Sequence, residues 1–349
     1  MNGPAGGGSP RRGFASDNAA TVHPEVLAAI SRANVGHAYG YGHDELTLSV
    51  ARLFQEHFGE HARAFPVWGG TAANVLSLRA ACRAWEAVIC TQTAHLNVDE
   101  CGAPEAIAGV KLLSAPSVDG RLTPASVEGL IERIGDEHAV QPGVLSISQC
   151  TELGTVYSLE ELRELSSLAH RRGLLVHMDG ARLANAAVAL GVSLRAVTTD
   201  VGVDVLSFGG TKNGLLGAEA VVFLMPELAE GFEYVRKQSL QLASKMRFLA
   251  VQLEALLTDQ LWLRCAAHAN AMAARLAERI HGVPGVTVTR PVQANAVFAR
   301  LPADAVAALQ REYDFYVWDQ RLSEVRWMCS WDTTEEDVEQ FAAAVRSAL

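Results

Sequence analysis

A carboxylate, a lysine and a glycine pair, each just beyond an apolar run, are the groups in this chain best suited to chemistry. The first lies in Leu174-Leu175-Val176-His177-Met178-Asp179-Gly180-Ala181-Arg182, where an apolar strand delivers Asp179 to its end and Gly180 and Ala181 leave room for something flat. A buried carboxylate there needs a cation, or it takes up a proton. Arg182 would serve, and so would a bound pyridinium. The second lies in Val205-Leu206-Ser207-Phe208-Gly209-Gly210-Thr211-Lys212-Asn213-Gly214. A lysine in a desolvated, glycine-rich pocket has a lowered pKa and suits Schiff-base chemistry. The order Gly-x-x-x-x-Gly-Lys-Ser/Thr of a P-loop is absent. The third is Trp68-Gly69-Gly70-Thr71-Ala72-Ala73-Asn74, opening a helix toward Trp85. Free N–H groups at such a start, with the helix dipole, make an anion seat.

Each segment alone has a structural explanation: a strand-end salt bridge, a surface lysine, an N-cap threonine. Together they are more specific. A phosphate seat, an acid at one strand end and a lysine at a later one describe a pyridoxal phosphate site. In that reading the helix start at Gly69, Gly70 and Thr71 seats the phosphate, Asp179 keeps the ring nitrogen protonated, and Lys212 bonds the coenzyme. His177, Asp179, His95 and Asp99 also allow a metal hydrolase, but the anion seat and Lys212 would then be idle, so no metal is expected.

The elements that must position these loops alternate between strand-like and helix-like, which predicts an α/β fold with a mainly parallel sheet. In such sheets ligands sit at the carboxyl ends of the strands. Strands are predicted at 88–91, 143–148, 174–176, 203–206 and 220–224. A helix over 45–58 ends at Gly59. A second opens at Thr123-Pro124 and places Val127, Leu130, Ile131 and Ile134 on one face. A third starts at a capping box, Ser158 with Glu161, and stops at Gly173. From about Gln260 an alanine-rich helix (261–280) precedes strand candidates at 286–289, 296–301, 315–318 and 325–328. A last helix is capped by Thr333 with Glu336. The predicted division is a mobile tail over 1–13, a large cofactor-binding domain over 14–255 and a smaller α+β domain over 256–349.

Composition narrows the classes. The chain has 349 residues, 49% hydrophobic and 19% charged, ample for a core and too apolar for a solvated coil. Its net charge of −10, without a basic stripe, argues against nucleic acid. Apolar runs such as 221–225 fall far short of the roughly 18–20 residues of a membrane span. The six cysteines form no C-x-x-C pair and read as reduced thiols of a cytoplasmic protein.

From Phe14 to about Glu339 the chain resembles the low-specificity L-threonine aldolases, within the β-eliminating lyase group of fold-type I pyridoxal phosphate enzymes. The resemblance rests on Ser16-Asp17-Asn18, Gly40-Tyr41-Gly42-His43-Asp44, Gly69 to Asn74, Ala94-His95, His177 to Arg182, Thr211-Lys212 and Val325-Arg326. It implies an aspartate aminotransferase-type fold and retro-aldol cleavage of threonine, allo-threonine or phenylserine-type substrates to glycine and an aldehyde. Another β-eliminating lyase or an aminotransferase is the alternative. It further implies that His95 stacks on the ring and acts at the β-hydroxyl. Ser16, Arg182 and Arg326 would bind the substrate carboxylate and its surroundings. Tyr41 would reach the site from a neighbouring subunit of a homodimer or homotetramer, and Lys245 and Arg247 would assist the phosphate in the same way. Many members carry acidic-Asn-Thr-His where this chain has Gln149-Cys150-Thr151-Glu152. The base is therefore His95, Glu152 or a bound water, and an unperturbed imidazole titrates near pH 6.5. Asp99 and Glu100 stand where aromatic residues are common, which predicts a more polar pocket.

Overall fold

The computed structural model describes residues 12–349. The predicted tail lies outside them for residues 1–11, whereas Arg12 is tied to Asp337 at 3.2 Å.

The large sheet contains β1 (Arg63–Val67), β2 (Glu86–Thr91), β3 (Lys111–Ala115), β4 (Gln141–Ser148), β5 (Leu175–Gly180), β6 (Val205–Gly209) and β7 (Glu219–Phe223), in the order β1-β7-β6-β5-β4-β2-β3. Only β7 is antiparallel to its neighbours, pairing so with both β1 and β6. The other six run one way, and their carboxyl ends share one edge. β2, β5, β6 and β7 are almost wholly buried apolar runs, as strands covered on both faces must be. Sequence patterning did not single out β1 and β3, because their alternation of half-buried and exposed residues is weak. The smaller antiparallel sheet contains β8 (Thr287–Val288), β9 (Ala296–Arg300), β10 (Tyr316–Asp319) and β11 (Glu324–Met328), in the order β10-β11-β9-β8.

Local chemistry explains the helix limits. Ser158 and Glu161 form the expected capping box, and the helix they open runs Leu159–Arg171, just short of Gly173 at φ +76°. The helix opened by Thr123 is shorter than its pattern predicts: it covers only Pro124–Glu128 and gives way at Gly129, leaving Ile134 exposed. Glycine is a poor helix former, and Val127 reaches the core from the helix while Leu130 and Ile131 pack against it from beyond its end. The last helix, Glu335–Ser347, is capped by Thr334 with Asp337 rather than by Thr333 with Glu336. Thr333 is buried and accepts from the Ser330 N–H at 2.9 Å.

The helix Leu261–Ile280 serves two cores. Its first half (Leu261, Trp262, Cys265, Ala266) packs with the large sheet, and its second half (Met272, Ala273, Leu276, Ile280) packs with the small sheet. Phe14 joins the second core, stacked on Phe341, and its carbonyl accepts from the Met328 N–H. The N-terminal segment is thereby carried across the small sheet to the edge where the large sheet's carboxyl ends emerge.

Candidate active site

Five strand ends meet in one cavity. Gly70, Thr71 and Asn74 follow β1, His95 follows β2, Ser148 ends β4 with Glu152 just after, Asp179 lies in β5 with Arg182 just after, and Lys212 follows β6. The structure thus brings together Gly70, Thr71, His95, Glu152, Asp179, Arg182 and Lys212, all of them expected, and adds Asn74, Ser148, Cys150 and Ala181.

The helix Gly70–Ala81 begins beside the cavity with Gly69 as N-cap and no capping side chain. Thr71 is therefore not an N-cap. A Cβ built on Gly69 or Gly70 would meet nothing within 4 Å, so the helix start is open to an anion.

Asp179 is 6% exposed. Its Oδ1 accepts from the Ala181 N–H at 2.9 Å and its Oδ2 from Asn74 Nδ2 at 2.8 Å. Burial pushes this carboxyl up, but the Ala181 N–H, the nearby Lys212 charge and the Asn74 amide outweigh burial and keep it low. No cation lies within ion-pair distance of it among the described residues. Arg182, the protein partner open to it in the sequence reading, is taken by Asp17 instead: Nε to Oδ2 at 2.7 Å and Nη2 to Oδ1 at 2.8 Å. An ionised, buried carboxylate without a protein cation fits a cationic ring nitrogen.

Lys212 sits in the one-turn helix Thr211–Asn213, with no hydrogen bond or ion pair among the described residues. Its amine is held below the ordinary lysine range, first by repulsion from Arg182 and then by burial. Desolvation alone was the expected cause. The glycines around it are packing residues rather than spacers. A Cβ on Gly209 would lie 2.6 Å from the Ala181 Cα, and one on Gly180 would lie 2.8 Å from the Ser207 carbonyl oxygen. Gly180 therefore makes room for the neighbouring strand, not for a ligand, and the close approach of β5 and β6 sets Asp179 and Lys212 against one cavity.

His95 opens a single turn, His95–Val98, and its backbone N–H donates to Glu152 Oε1 at 2.9 Å. Its Nδ1 lies 2.8 Å from Glu100 Oε1. A carboxylate only accepts, so Nδ1 carries the proton and Nε2 is the nitrogen left for other partners. The Glu100 hydrogen bond, opposed by burial and aided by the charges of Asp179 and Glu100, holds the imidazole above its ordinary pKa. The unperturbed histidine of the sequence reading is corrected accordingly. Asn74 Nδ2 donates to both Glu100 and Asp179, linking the carboxylate beside His95 to Asp179.

Glu152 is buried. Its Oε1 accepts from Ser148 Oγ at 2.6 Å and from the His95 N–H, while Oε2 has no partner. Burial raises its pKa, and Asp179 adds to the rise. His177, buried behind Asp179, has both ring nitrogens engaged by the hydroxyls of Ser146 and Ser207, so neither is free for a metal.

Ser16, Arg326 and Tyr41 do not line this cavity. Ser16 caps the turn Asp17–Ala19. Arg326 reaches the Ala15 carbonyl at 3.3 Å, is flanked by the rings of Tyr316 and Trp318, and keeps an unpartnered Nε. Burial and the Arg182 charge hold it down to about 10. Tyr41 is half exposed, under the Lys237 ammonium, beside a cavity of about 610 Å³ that includes Tyr39, His43 and Arg247. Arg247 donates to the Val35 carbonyl, and neither it nor Lys245 lines the cavity that holds Asp179 and Lys212.

Sequence reasoning missed Asp17, Asn74 and Glu100 as working residues. All three stood inside or beside quoted motifs, but none is spaced to face its partner along one element. Asp17 and Arg182 are 165 positions apart.

The fold places the chain in a known class. It superposes on aspartate aminotransferase from Thermus thermophilus with a TM-score of 0.68 at 18% identity, over 97% of this chain and 92% of that one. That likeness defines the fold as the type I pyridoxal phosphate architecture. A threonine aldolase of Leishmania major superposes with a TM-score of 0.91 at 32% identity, over 96% of this chain and 99% of that one. A low specificity L-threonine aldolase of Pseudomonas aeruginosa is 46% identical, over 96% of this chain and 97% of the relative. The beta-eliminating lyase family model matches residues 13–303, and the chain belongs to that family, alongside its low-specificity threonine aldolases.

Proposed function

We propose that this protein is a pyridoxal phosphate-dependent lyase that cleaves L-threonine, L-allo-threonine and related β-hydroxy-α-amino acids to glycine and an aldehyde. One observation carries the reading: a buried, ionised Asp179 with no cation at ion-pair distance shares a cavity with a depressed Lys212 that makes no hydrogen bond or ion pair among the described residues. Whole-length similarity to threonine aldolases supports the same reaction.

When bound, pyridoxal phosphate supplies an electron sink for the pair released as the Cα–Cβ bond breaks. Lys212, unpartnered among the described residues and held below the ordinary lysine range, is the amine that would tether the cofactor through its aldehyde group. Asp179 would hold the pyridine nitrogen in its protonated form, and the open helix start at Gly70 and Thr71 would seat the phosphate. Arg182 would hold the substrate carboxylate, and Arg326, outside the cavity lining but close enough to feel the Arg182 charge, would be the second cation for it, with Ser16 next to Asp17 in the adjoining turn. Fixing the carboxylate orients the Cα–Cβ bond for cleavage. His95 Nε2 removes the β-hydroxyl proton, directly or through a water, while Glu100 fixes the tautomer that leaves Nε2 unprotonated. Glu152, nearer to neutral than an ordinary glutamate, anchors the His95 backbone and is the weaker candidate base.

The active form is a homo-oligomer, with Tyr41 completing a neighbour's site. Exposed Tyr41, Trp68 and Leu240 support this, since Lys237 covers Tyr41 and Gln241 binds the Trp68 N–H, grouping apolar side chains on one face. Among the described residues all six cysteines are free thiols, in keeping with a cytoplasmic protein, and no helix is long and apolar enough to cross a membrane.

The test is aldehyde release from threonine by the purified holoenzyme without a keto acid. Acetaldehyde and glycine in equal amounts are expected. A requirement for a keto-acid acceptor would indicate an aminotransferase, and ammonia with a keto acid would indicate an eliminating lyase.

A further inference from the structure

Arg182 lies three residues beyond Asp179, and both line the same cavity. A guanidinium and a carboxylate held that near in a low-dielectric site attract strongly. They are nevertheless unpaired, because Asp17 occupies the Nε–Nη2 edge of Arg182 through two short hydrogen bonds. Asp17 is itself held in place. It is 2% exposed and opens a one-turn helix capped by Ser16. Its Oδ2 also accepts from Asn295 Nδ2 at 3.0 Å, and that nitrogen donates to the Cys329 carbonyl at 2.8 Å. The carboxylate thus reaches Arg182 from the N-terminal segment and is braced by the small sheet.

We propose that Asp17 is a positioning residue that holds Arg182 away from Asp179, keeping one free for a substrate carboxylate and the other for the ring cation. A bidentate pair fixes the plane of the guanidinium and leaves its Nη1 edge unclaimed. Without the Asp17 charge, Arg182 becomes a buried cation in need of an anion. Asp179 is the ionised carboxylate that shares its cavity. An Arg182–Asp179 pair would silence both groups. The pair with Asp17 persists at neutral pH: burial raises the Asp17 carboxyl, but the Arg182 charge and hydrogen bonds override that and hold it at about 2.

The inference rests on the carboxylate-binding role given to Arg182 above, and the test separates the two. Asp17→Asn, Arg182→Gln and the double variant are titrated with pyridoxal phosphate as cofactor-free proteins, following fluorescence. The loaded proteins are titrated with glycine and with methylamine, an amine lacking a carboxylate, following the visible spectrum. Asp17→Asn is expected to weaken both pyridoxal phosphate and glycine roughly 10- to 100-fold. Arg182→Gln weakens glycine but neither methylamine nor the cofactor. The double variant regains cofactor affinity, since the intruding cation is gone, while glycine stays weak. Unchanged cofactor affinity in Asp17→Asn, or a double variant as weak as that single one, overturns the proposal. So does loss of folding in Asp17→Asn that Arg182→Gln does not relieve. Unchanged glycine affinity in Arg182→Gln would instead remove the carboxylate role on which the proposal stands.

Discussion

Asp17 and Asp179 are buried to a similar degree, yet the protein treats them in opposite ways. Asp17 is satisfied internally by a guanidinium fork and an amide. Asp179 receives only neutral donors, one from the backbone and one from Asn74. The first is a structural charge whose balance is complete within the chain. The second is a functional charge whose balance awaits a ligand. Buried carboxylates are costly without a cation, so the chain keeps Asp179 ionised with N–H donors and the nearby Lys212 charge. The comparison teaches that neither burial nor a low pKa marks a site by itself; the missing counter-ion does.

The sharpest test of the open side of this contrast is Lys212→Ala. It should abolish the visible band of the bound cofactor and reduce turnover by at least about a thousandfold, read by spectrum and aldehyde release. Wild-type activity in that variant would break the reading of the cavity. Asp179→Ala comes next, with turnover lowered on the order of 10²- to 10⁴-fold and cofactor affinity reduced, because a neutral pyridine is a poor electron sink. Normal turnover there would mean that the unbalanced carboxylate has no ring partner. Arg326→Ala tests the surroundings of the Asp17–Arg182 pair, whose charges it feels, and should raise KM for threonine by about tenfold or more, with a smaller change in kcat. An effect on kcat alone would remove its carboxylate role.

Glu100→Gln has the smallest expected effect, a change of less than about fivefold in rate at mildly alkaline pH. It should show instead in the pH profile of kcat/KM. Glu100 holds His95 above its ordinary pKa, and only neutral His95 accepts a proton, so the acid limb lies above the ordinary histidine value. Removing the charge moves that limb to lower pH. The stability the pair supplies is present below the unfolded histidine pKa and is lost as pH rises through the folded one. An unmoved limb would show that His95 is not the titrating base.

Much of this was legible along the chain. Asp179, Lys212, Gly70 and Thr71 each follow an apolar strand within a few residues, so one stretch of sequence holds both the strand and the group at its end. The caps at Ser158 and the helix 261–280 were legible for the same local reason. The helix after Thr123 is shorter than its pattern suggests, because periodic Leu130, Ile131 and Ile134 imply a face that Gly129 interrupts. The cap at Thr334 was misplaced by one residue, since adjacent threonines offer the same chemistry.

What the sequence determined by itself was an inventory: an acid, a lysine and an open helix start, each at a strand end, together with the α/β order that turns strand ends toward one edge. Backbone periodicity and nearest-neighbour chemistry suffice for that. Which charge answers which was decided only in three dimensions. Arg182 stands three positions from Asp179 but pairs with Asp17 from the far N-terminus, and Asn74 reaches both Glu100 and Asp179 across the sheet. Ion pairs and hydrogen bonds depend on distances of a few ångströms and on direction, and chain separation carries no record of either.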